Sequence, residues 1–236
     1  MVNDVDALDG VTHVGDVSSA EDAERLVAAV VEEHGRIDVV VNNAGMMAWA
    51  GFPDADEDNL DAHLAVHVRG SFLVTRAAWP HMVEQCYGRV VMTTSTGMLG
   101  LPGNVSYATA KGGVIGLTRA LAFAGRKHGI KVNAIAPAAT TRLAAGAKGP
   151  DMPPELVAPM AAFLAHEACP VSGEIYTAGA GRFARLFIGS TPGYVATEPT
   201  VEDVAAHWAE INDESGYTVP ADLQAWSAEF LKHLPS

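Results

Sequence analysis

Basic residues are scarce in this chain. Of 236 residues, 15 are Lys or Arg against 28 Asp or Glu, a net charge of −13. Phosphate-rich partners are held by clusters of Lys and Arg, so this balance argues against nucleic acid or an anionic membrane as partner. Cysteine is scarcer still. Cys86 and Cys169 are the only two, and neither lies in a Cys-x-x-Cys pair. That excludes a disulfide framework and fits a reducing, cytoplasmic setting. No apolar run approaches the roughly 18 residues of a membrane span. The opening Met1-Val-Asn-Asp-Val-Asp is acidic, unlike a signal peptide. Asn104-Val-Ser106 spells a glycosylation site, which such a chain would carry by chance. No metal site is read. What is plentiful is apolar content, 49% against 18% charged, which is the composition of a soluble protein with a substantial core.

The stretch Ser95 to Lys111 carries the chemistry. Tyr107 and Lys111 are four apart, so one helical turn stacks them on one face. Ser95 lies upstream, across a loop with Gly97, Gly100 and Gly103. Arg89-Val90-Val91-Met92-Thr93 before it reads as a short buried strand. A hydroxyl at a strand end would thus face a phenol and an ammonium on the next helix. A free phenol, with a pKa of about 10, is a poor acid or base at neutral pH. A nearby ammonium favours phenolate, and acid–base catalysis is most efficient near the operating pH. Taken alone, Tyr-x-x-x-Lys is more often a solvated helix face.

Context changes that weighting. Asn42-Asn43-Ala44-Gly45, Gly88-Arg89-Val90-Val91, Ser95, Tyr107-Ala-Thr-Ala-Lys111 and Val132-Asn-Ala-Ile-Ala-Pro137 resemble, in order and spacing, the short-chain dehydrogenase/reductase family over about residues 11 to 180. A nearer likeness is to the (3R)-hydroxyacyl-CoA dehydrogenase part of peroxisomal-type multifunctional enzymes. It rests on Val66-His-Val-Arg-Gly-Ser-Phe72, Thr75-Arg-Ala-Ala-Trp-Pro-His-Met82, Glu167-Ala-Cys169 and Gly179-Ala-Gly181. The resemblance implies an α/β fold with a doubly wound, Rossmann-like parallel sheet. It implies hydride transfer between NAD or NADP and an alcohol or carbonyl, possible substrates including a 3-hydroxyacyl-CoA. It makes Tyr107 the acid/base, Lys111 its tuner and ribose ligand, and Ser95 the holder of the substrate oxygen. Most members place Asn, anchoring a water in a proton relay, where His67 stands three residues before Gly70. His67 is therefore a relay or positioning candidate. Asn42, Ala44 and Gly45 would lie along the cofactor, Asp16 and Val17 at its adenine, and Pro137 and Thr140 at its nicotinamide. Thr94 is the fallback for Ser95, because the family spaces its Ser thirteen before Tyr and Ser95 is twelve before. Arg142 stands where the family usually has Thr. A homodimer or homotetramer is implied, through the helices beginning near Leu60 and Val105.

In chain order, residues 11–17 read as a strand and Ala20 to His34 as a helix capped by the preceding Ser pair and ended by Gly35. Asp38 to Val41 reads as a buried strand, Leu60 to Gln85 as a long helix with Pro80 in it, and Val105 to Lys127 as a helix. Ile130 to Ala136 reads as a strand, 143–154 as a substrate-covering loop, Pro154 to His166 as a helix, and Glu174 to Ala178 as a strand. Residues 1–185 would form one domain and 186–236 a polar tail with helices near Val201 to Ile211 and Ala221 to His233. Nucleotide-binding sheets open with strand, Gly-rich turn and helix, whose N–H groups take the pyrophosphate. No such turn is found in these residues. The first two βα units of the fold are expected to be lacking, leaving the first strand without a sheet neighbour and an edge of Asp38 to Val41 bare. Weak or no dinucleotide binding by this chain alone follows. The alternative reading is a catalytically inactive remnant serving as a subunit or binding module.

Overall fold

A computed structural model describes residues 2–4, 12–141 and 152–234. It falls into two units, Met1–Leu186 and Phe187–Ser236. The first is built on a five-stranded sheet of β3 (Val39–Asn42), β4 (Gly88–Thr93), β5 (Ile130–Pro137), β6 (Ile175–Gly179) and β7 (Arg182–Leu186), in that spatial order. The first four are parallel and β7 runs antiparallel to β6. Apolar side chains alternate across the sheet, as strand geometry requires. Val90, Met92, Val132 and Ala134 face one core, with Ala23, Val27, Leu73, Ala78, Met82 and Val114. Val91 and Ile135 face a second, smaller core with Leu164, Cys169 and Ala178. The first core is covered by α1 (Ala20–His34), α3 (Ser71–Glu84) and α4 (Val105–Gly125); Leu164 of α5 (Ala158–Ala165) covers the second. This is the doubly wound, Rossmann-like arrangement.

Helix α1 has its expected bounds. Ser19 accepts from the Asp22 N–H at its start, and Gly35, at φ 74°, closes it in the left-handed conformation that glycine adopts without strain. The strand expected over residues 11–17 contracts to β2 (Thr12–Val14). It is not without a neighbour: it pairs in parallel with β1 (Val2–Asp4), apart from the main sheet. Among the described strands β3 is then an edge, hydrogen-bonded to β4 alone, with Val39 and Val41 41% and 51% exposed.

The long helix expected from Leu60 to Gln85 is interrupted. Helix α2 (Glu57–Leu64) passes into a π turn, Ala65–Gly70, before α3 begins. The Ser71 hydroxyl takes the His67 carbonyl at 2.7 Å, while the Ser71 N–H bonds to Val68 instead. A side-chain hydroxyl competing for a helical carbonyl is a recognised cause of such a break, and π turns gather at functional sites. Pro80 sits inside α3 near its end. The helix expected to reach Lys127 leaves α geometry after Gly125 and finishes as a 3₁₀ turn, Arg126–His128. Pro154 to His166 divides into a 3₁₀ turn, Pro154–Leu156, and α5. Strand β7, which no expectation included, closes the residues assigned to the first domain and runs one residue into the expected tail. Ala180 and Gly181, both at positive φ, turn β6 back on itself, and Arg185 pairs with Glu174 at 2.7 Å across the two strands.

The second unit carries α6 (Val201–Ala206), α7 (Trp208–Ile211) and α8 (Leu223–Phe230). None of its described residues is buried. It is held by the reciprocal Ser190–Thr218 backbone bonds and by stacked rings, Tyr194 on His207 at 3.7 Å and Phe187 on Tyr217 at 5.7 Å. No helix among the described residues is long and apolar enough to cross a membrane. No group of His, Cys, Asp and Glu among them is placed to hold a metal.

Candidate active site

The carboxyl ends of β3 and β4 meet the first turns of α4 and the π turn, and four of the residues singled out in the sequence converge there. Asn104 caps α4, its Oδ1 accepting from the Tyr107 N–H at 3.2 Å. That cap fixes the start of the helix, so Tyr107 falls in its first turn and Lys111 one turn on. Lys111 is 3% exposed, its Nζ donating to the Thr93 carbonyl at 2.8 Å and lying 5.6 Å from the centre of the Tyr107 ring. Burial pushes its pKa down from 10.5 to about 8.

Ser95 stands just past β4 in extended backbone, its Oγ accepting from the Gly97 N–H at 3.0 Å. The Ser95 hydroxyl hydrogen remains available to donate to a ligand. A Cβ on Gly97 would sit 3.2 Å from Cε1 of Tyr107 and 3.3 Å from Oγ of Ser95. Ser95 and the Tyr107 ring therefore lie against the same point of backbone. Thr94 is 1% exposed and its hydroxyl donates to the Lys111 carbonyl at 2.7 Å, anchoring α4 to β4. Of the two hydroxyls, Ser95 faces Tyr107.

His67 lies in the π turn, 2% exposed and edge-on to the Tyr107 ring at 5.4 Å. Its Nε2 is 2.9 Å from the Met46 carbonyl and 3.5 Å from the Met46 N–H; the much shorter contact is to an atom that only accepts, which puts the hydrogen on Nε2, and Nδ1 is buried without a partner among the described residues. Burial first, then the Lys111 charge, hold its pKa down to about 4, so the ring is neutral at pH 7. Gly45 leaves room for it: a Cβ there would be 3.0 Å from His67 Cε1.

The residues assigned to a cofactor are placed less uniformly. Asn42 turns its amide inward, onto Thr75 Oγ1 at 2.9 Å and Met92 Sδ at 3.2 Å, so it fixes the end of β3 from below. Ala44 and Gly45 are exposed beyond it. Asp16 uses Oδ1 on the Ser18 N–H and hydroxyl, both at 2.8 Å, and Val17 packs against Gly70. Pro137 ends β5 opposite Ala178, and Thr140 exchanges bonds with the Met152 backbone at 2.7 and 3.1 Å. Arg142 and most of the loop expected over 143–154 lie outside the described residues. Three groups escaped the sequence reading: the Thr93 carbonyl, the Asn104 cap and His63. His63 is fully buried, stacked on His67 at 6.1 Å and edge-on to Tyr107 at 6.2 Å. Its spacing of four from His67 was the available signal.

The family model for short chain dehydrogenases matches residues 4–150. The chain belongs to this family. A short-chain type dehydrogenase/reductase of Mycobacterium tuberculosis is 40% identical over 212 residues, covering 87% of this chain and 74% of that protein. Peroxisomal multifunctional enzyme type 2 of Mus musculus is 40% identical over 220 residues, covering 89% of this chain but 30% of that protein. The full-length structure of the enzyme of that name from Drosophila melanogaster superposes with a TM-score of 0.81 at 28% identity, covering 95% of this chain and 40% of that one. Membership implies NAD or NADP as cofactor. Tyr107 and Lys111 stand together on α4, and Gly45 borders His67, which is edge-on to Tyr107, a grouping whose donors suit the nicotinamide–ribose half of such a cofactor. For the diphosphate, no Gly-rich turn opening a helix lies beside β3 among the described residues.

Proposed function

We propose that this chain is an oxidoreductase that moves a hydride between a nicotinamide cofactor and an alcohol or carbonyl carbon, with Tyr107 as the acid/base. The observation that carries the reading is Lys111. A buried ammonium is costly, and no carboxylate pairs with this one among the described residues. Such a charge in a site beside a phenol is a functional signature. The cofactor, when bound, supplies or takes the hydride. In the reducing direction, Ser95 Oγ–H and Tyr107 Oη–H hold the carbonyl oxygen. Tyr107 passes its proton to that oxygen, and the Lys111 ammonium stabilises the phenolate that remains. His67 backs the Tyr107 ring, its bare Nδ1 left to accept a hydrogen bond. Asp16, Val17, Asn42, Ala44, Gly45, Pro137 and Thr140 complete the proposed cofactor side.

Likeness to multifunctional enzyme type 2 supports a 3-hydroxyacyl-CoA, or its 3-oxo product, as the substrate class. Binding of NAD or NADP is proposed to be weak for the 236 residues alone, since among the described residues the diphosphate finds no helix N-terminus beside β3. Exposed Phe72 on α3 and Phe123 on α4 support self-association. Two free cysteines, Cys86 exposed, support a cytoplasmic setting. The test is absorbance at 340 nm with 3-oxoacyl thioesters and millimolar NADH or NADPH. We expect turnover that Tyr107→Phe lowers about 10²- to 10⁴-fold without unfolding the chain. A variant keeping more than about a tenth of kcat overturns the role of Tyr107. No turnover in the wild type overturns the enzyme reading and favours the inactive remnant.

A further inference from the structure

His63 takes no part in the chemistry above, yet it is the most enclosed ring near it, at 0% exposure. Its two nitrogens are fully assigned by their neighbours. Nδ1 is 2.7 Å from the Asn59 carbonyl, which only accepts, so Nδ1 carries the hydrogen. Nε2 is 3.3 Å from the Ala48 backbone nitrogen, which only donates, so Nε2 carries the lone pair. His67, one turn on, has the opposite tautomer, because its Nε2 faces the Met46 carbonyl at 2.9 Å. The Asn59 amide adds a bond to the Ala48 carbonyl at 3.1 Å. Three backbone groups of the strap that leaves Gly45 are therefore fastened from α2 and the π turn. Tyr107 stands edge-on to both imidazoles, at 81° to His63 and 88° to His67.

We propose that His63 is a positioning residue for Tyr107, a fixed Nδ1–H imidazole that pins the Met46–Ala48 strap and backs the phenol ring together with His67. This rests on the reading of Tyr107 as the acid/base. A ring that merely filled space would need neither a defined tautomer nor a strap bond. Here both nitrogens are matched, one to a carbonyl and one to an N–H. The other tautomer of His63 would set an Nε2–H against the Ala48 N–H, and the strap would have to move.

Two isosteric halves of the imidazole separate the possibilities. In His63→Gln the amide oxygen reaches the place of Nε2 and keeps the Ala48 bond. In His63→Asn the amide reaches only the place of Nδ1 and drops it. We expect His63→Asn to lose about tenfold in kcat with KM within about twofold, and His63→Gln to stay within about threefold of wild type in both. A His63→Asn enzyme with more than half the wild-type kcat overturns the proposal, as does equal loss in both variants. Nitrogen-15 spectra of labelled histidine supply a readout independent of turnover. The hydrogen should sit on Nδ1 in His63 and on Nε2 in His67. Both variants remove the imidazole ring current from Tyr107, so the Tyr107 ring resonances should move further in His63→Asn, where the strap is also released, than in His63→Gln. The reverse tautomer in His63, or a Tyr107 shift no larger in His63→Asn than in His63→Gln, refutes the clamp. If the wild type shows no turnover, the oxidoreductase reading fails and these spectra still decide the clamp.

Discussion

Replacing Lys111 by Met should make the protein more stable while removing its chemistry. The side chain is 3% exposed, and burial lowers its pKa from 10.5 to about 8. The folded value lies below the unfolded one, so the native state resists the proton that the unfolded chain holds. A gap of about 2.5 pH units at about 1.4 kcal/mol each is a penalty of about 3.5 kcal/mol, present in full below pH 8 and removed as pH rises from 8 to 10.5. Against it stands the Nζ bond to the Thr93 carbonyl at 2.8 Å. Losing that charge-assisted bond costs about 1.5–3 kcal/mol. Met matches the stem in length and leaves no large cavity. The net expectation is a gain of about 0.5–2 kcal/mol at pH 7, or about 1–8 °C in Tm for a chain of this length. Urea unfolding at intervals from pH 6.5 to 10 gives both the sign and the shape. The advantage of Lys111→Met should shrink steadily above pH 8. A variant less stable than wild type at pH 7, or an advantage unchanged up to pH 10, would show that the buried amine is not the burden inferred here.

The other base in the site gives a dependence in a lower window. His67 is held to about 4 against an ordinary 6.5. The stability tied to its neutrality is complete above about pH 6.5 and is lost as pH falls towards 4, about 3.5 kcal/mol in all. The difference in unfolding free energy between wild type and His67→Gln should follow that curve, and parallel curves from pH 4 to 7.5 would refute it. Gly45→Ala should displace His67, because the added methyl would be 3.0 Å from Cε1, and should lower kcat more than Tm; an unchanged kcat refutes the contact. Calorimetric titration of the 236-residue chain with NAD or NADP should show no saturable binding below millimolar concentration; micromolar affinity would mean that the diphosphate is held elsewhere. Sedimentation at micromolar concentration should show a dimer or tetramer, and a stable monomer refutes the self-association proposed through α3 and α4.

Much of this was legible because local chemistry and tertiary packing agree. The Val and Ile runs of β3, β4 and β5 are buried on one or both faces, and Ser19 and Gly35 bound α1 as their cap chemistry requires. The Ser95, Tyr107 and Lys111 grouping was legible for the same reason: strand end, loop and first helical turn lie close in sequence. What escaped depends on contacts distant in sequence, or on competition that periodicity does not register. Arg182-Phe-Ala-Arg-Leu186 looks polar because it is an edge strand with an open face, and the signal was the two-residue turn at Ala180-Gly181. The π turn is invisible because the apolar period runs through it, and only the Ser71 hydroxyl on the His67 carbonyl marks it. His63 acquires a role only when the strap, some fifteen residues earlier, folds back over it.

That strap also explains why the site needs the two histidines. It springs from the carboxyl end of β3, which among the described strands is an edge hydrogen-bonded to β4 alone. An edge strand has unpaired backbone on its free side and frays more easily than a central one. The Asn43-Ala44-Gly45 backbone proposed to lie along a cofactor therefore receives support from one side of the sheet only. The helical side makes up the difference. Asn42 is tied down to Thr75, Met46 to His67, Ala48 to His63 and Asn59, and Ala50 bridges to Asn104 at the head of α4. Those anchors sit on α2, the π turn, α3 and the start of α4, the same elements that carry His67, Tyr107 and Lys111. The cofactor-facing backbone and the acid/base are thus located by one set of contacts. Loosening the strap should consequently disturb catalysis before it disturbs the fold, which is why kcat, and not Tm, is the sensitive measurement for both His63 and Gly45.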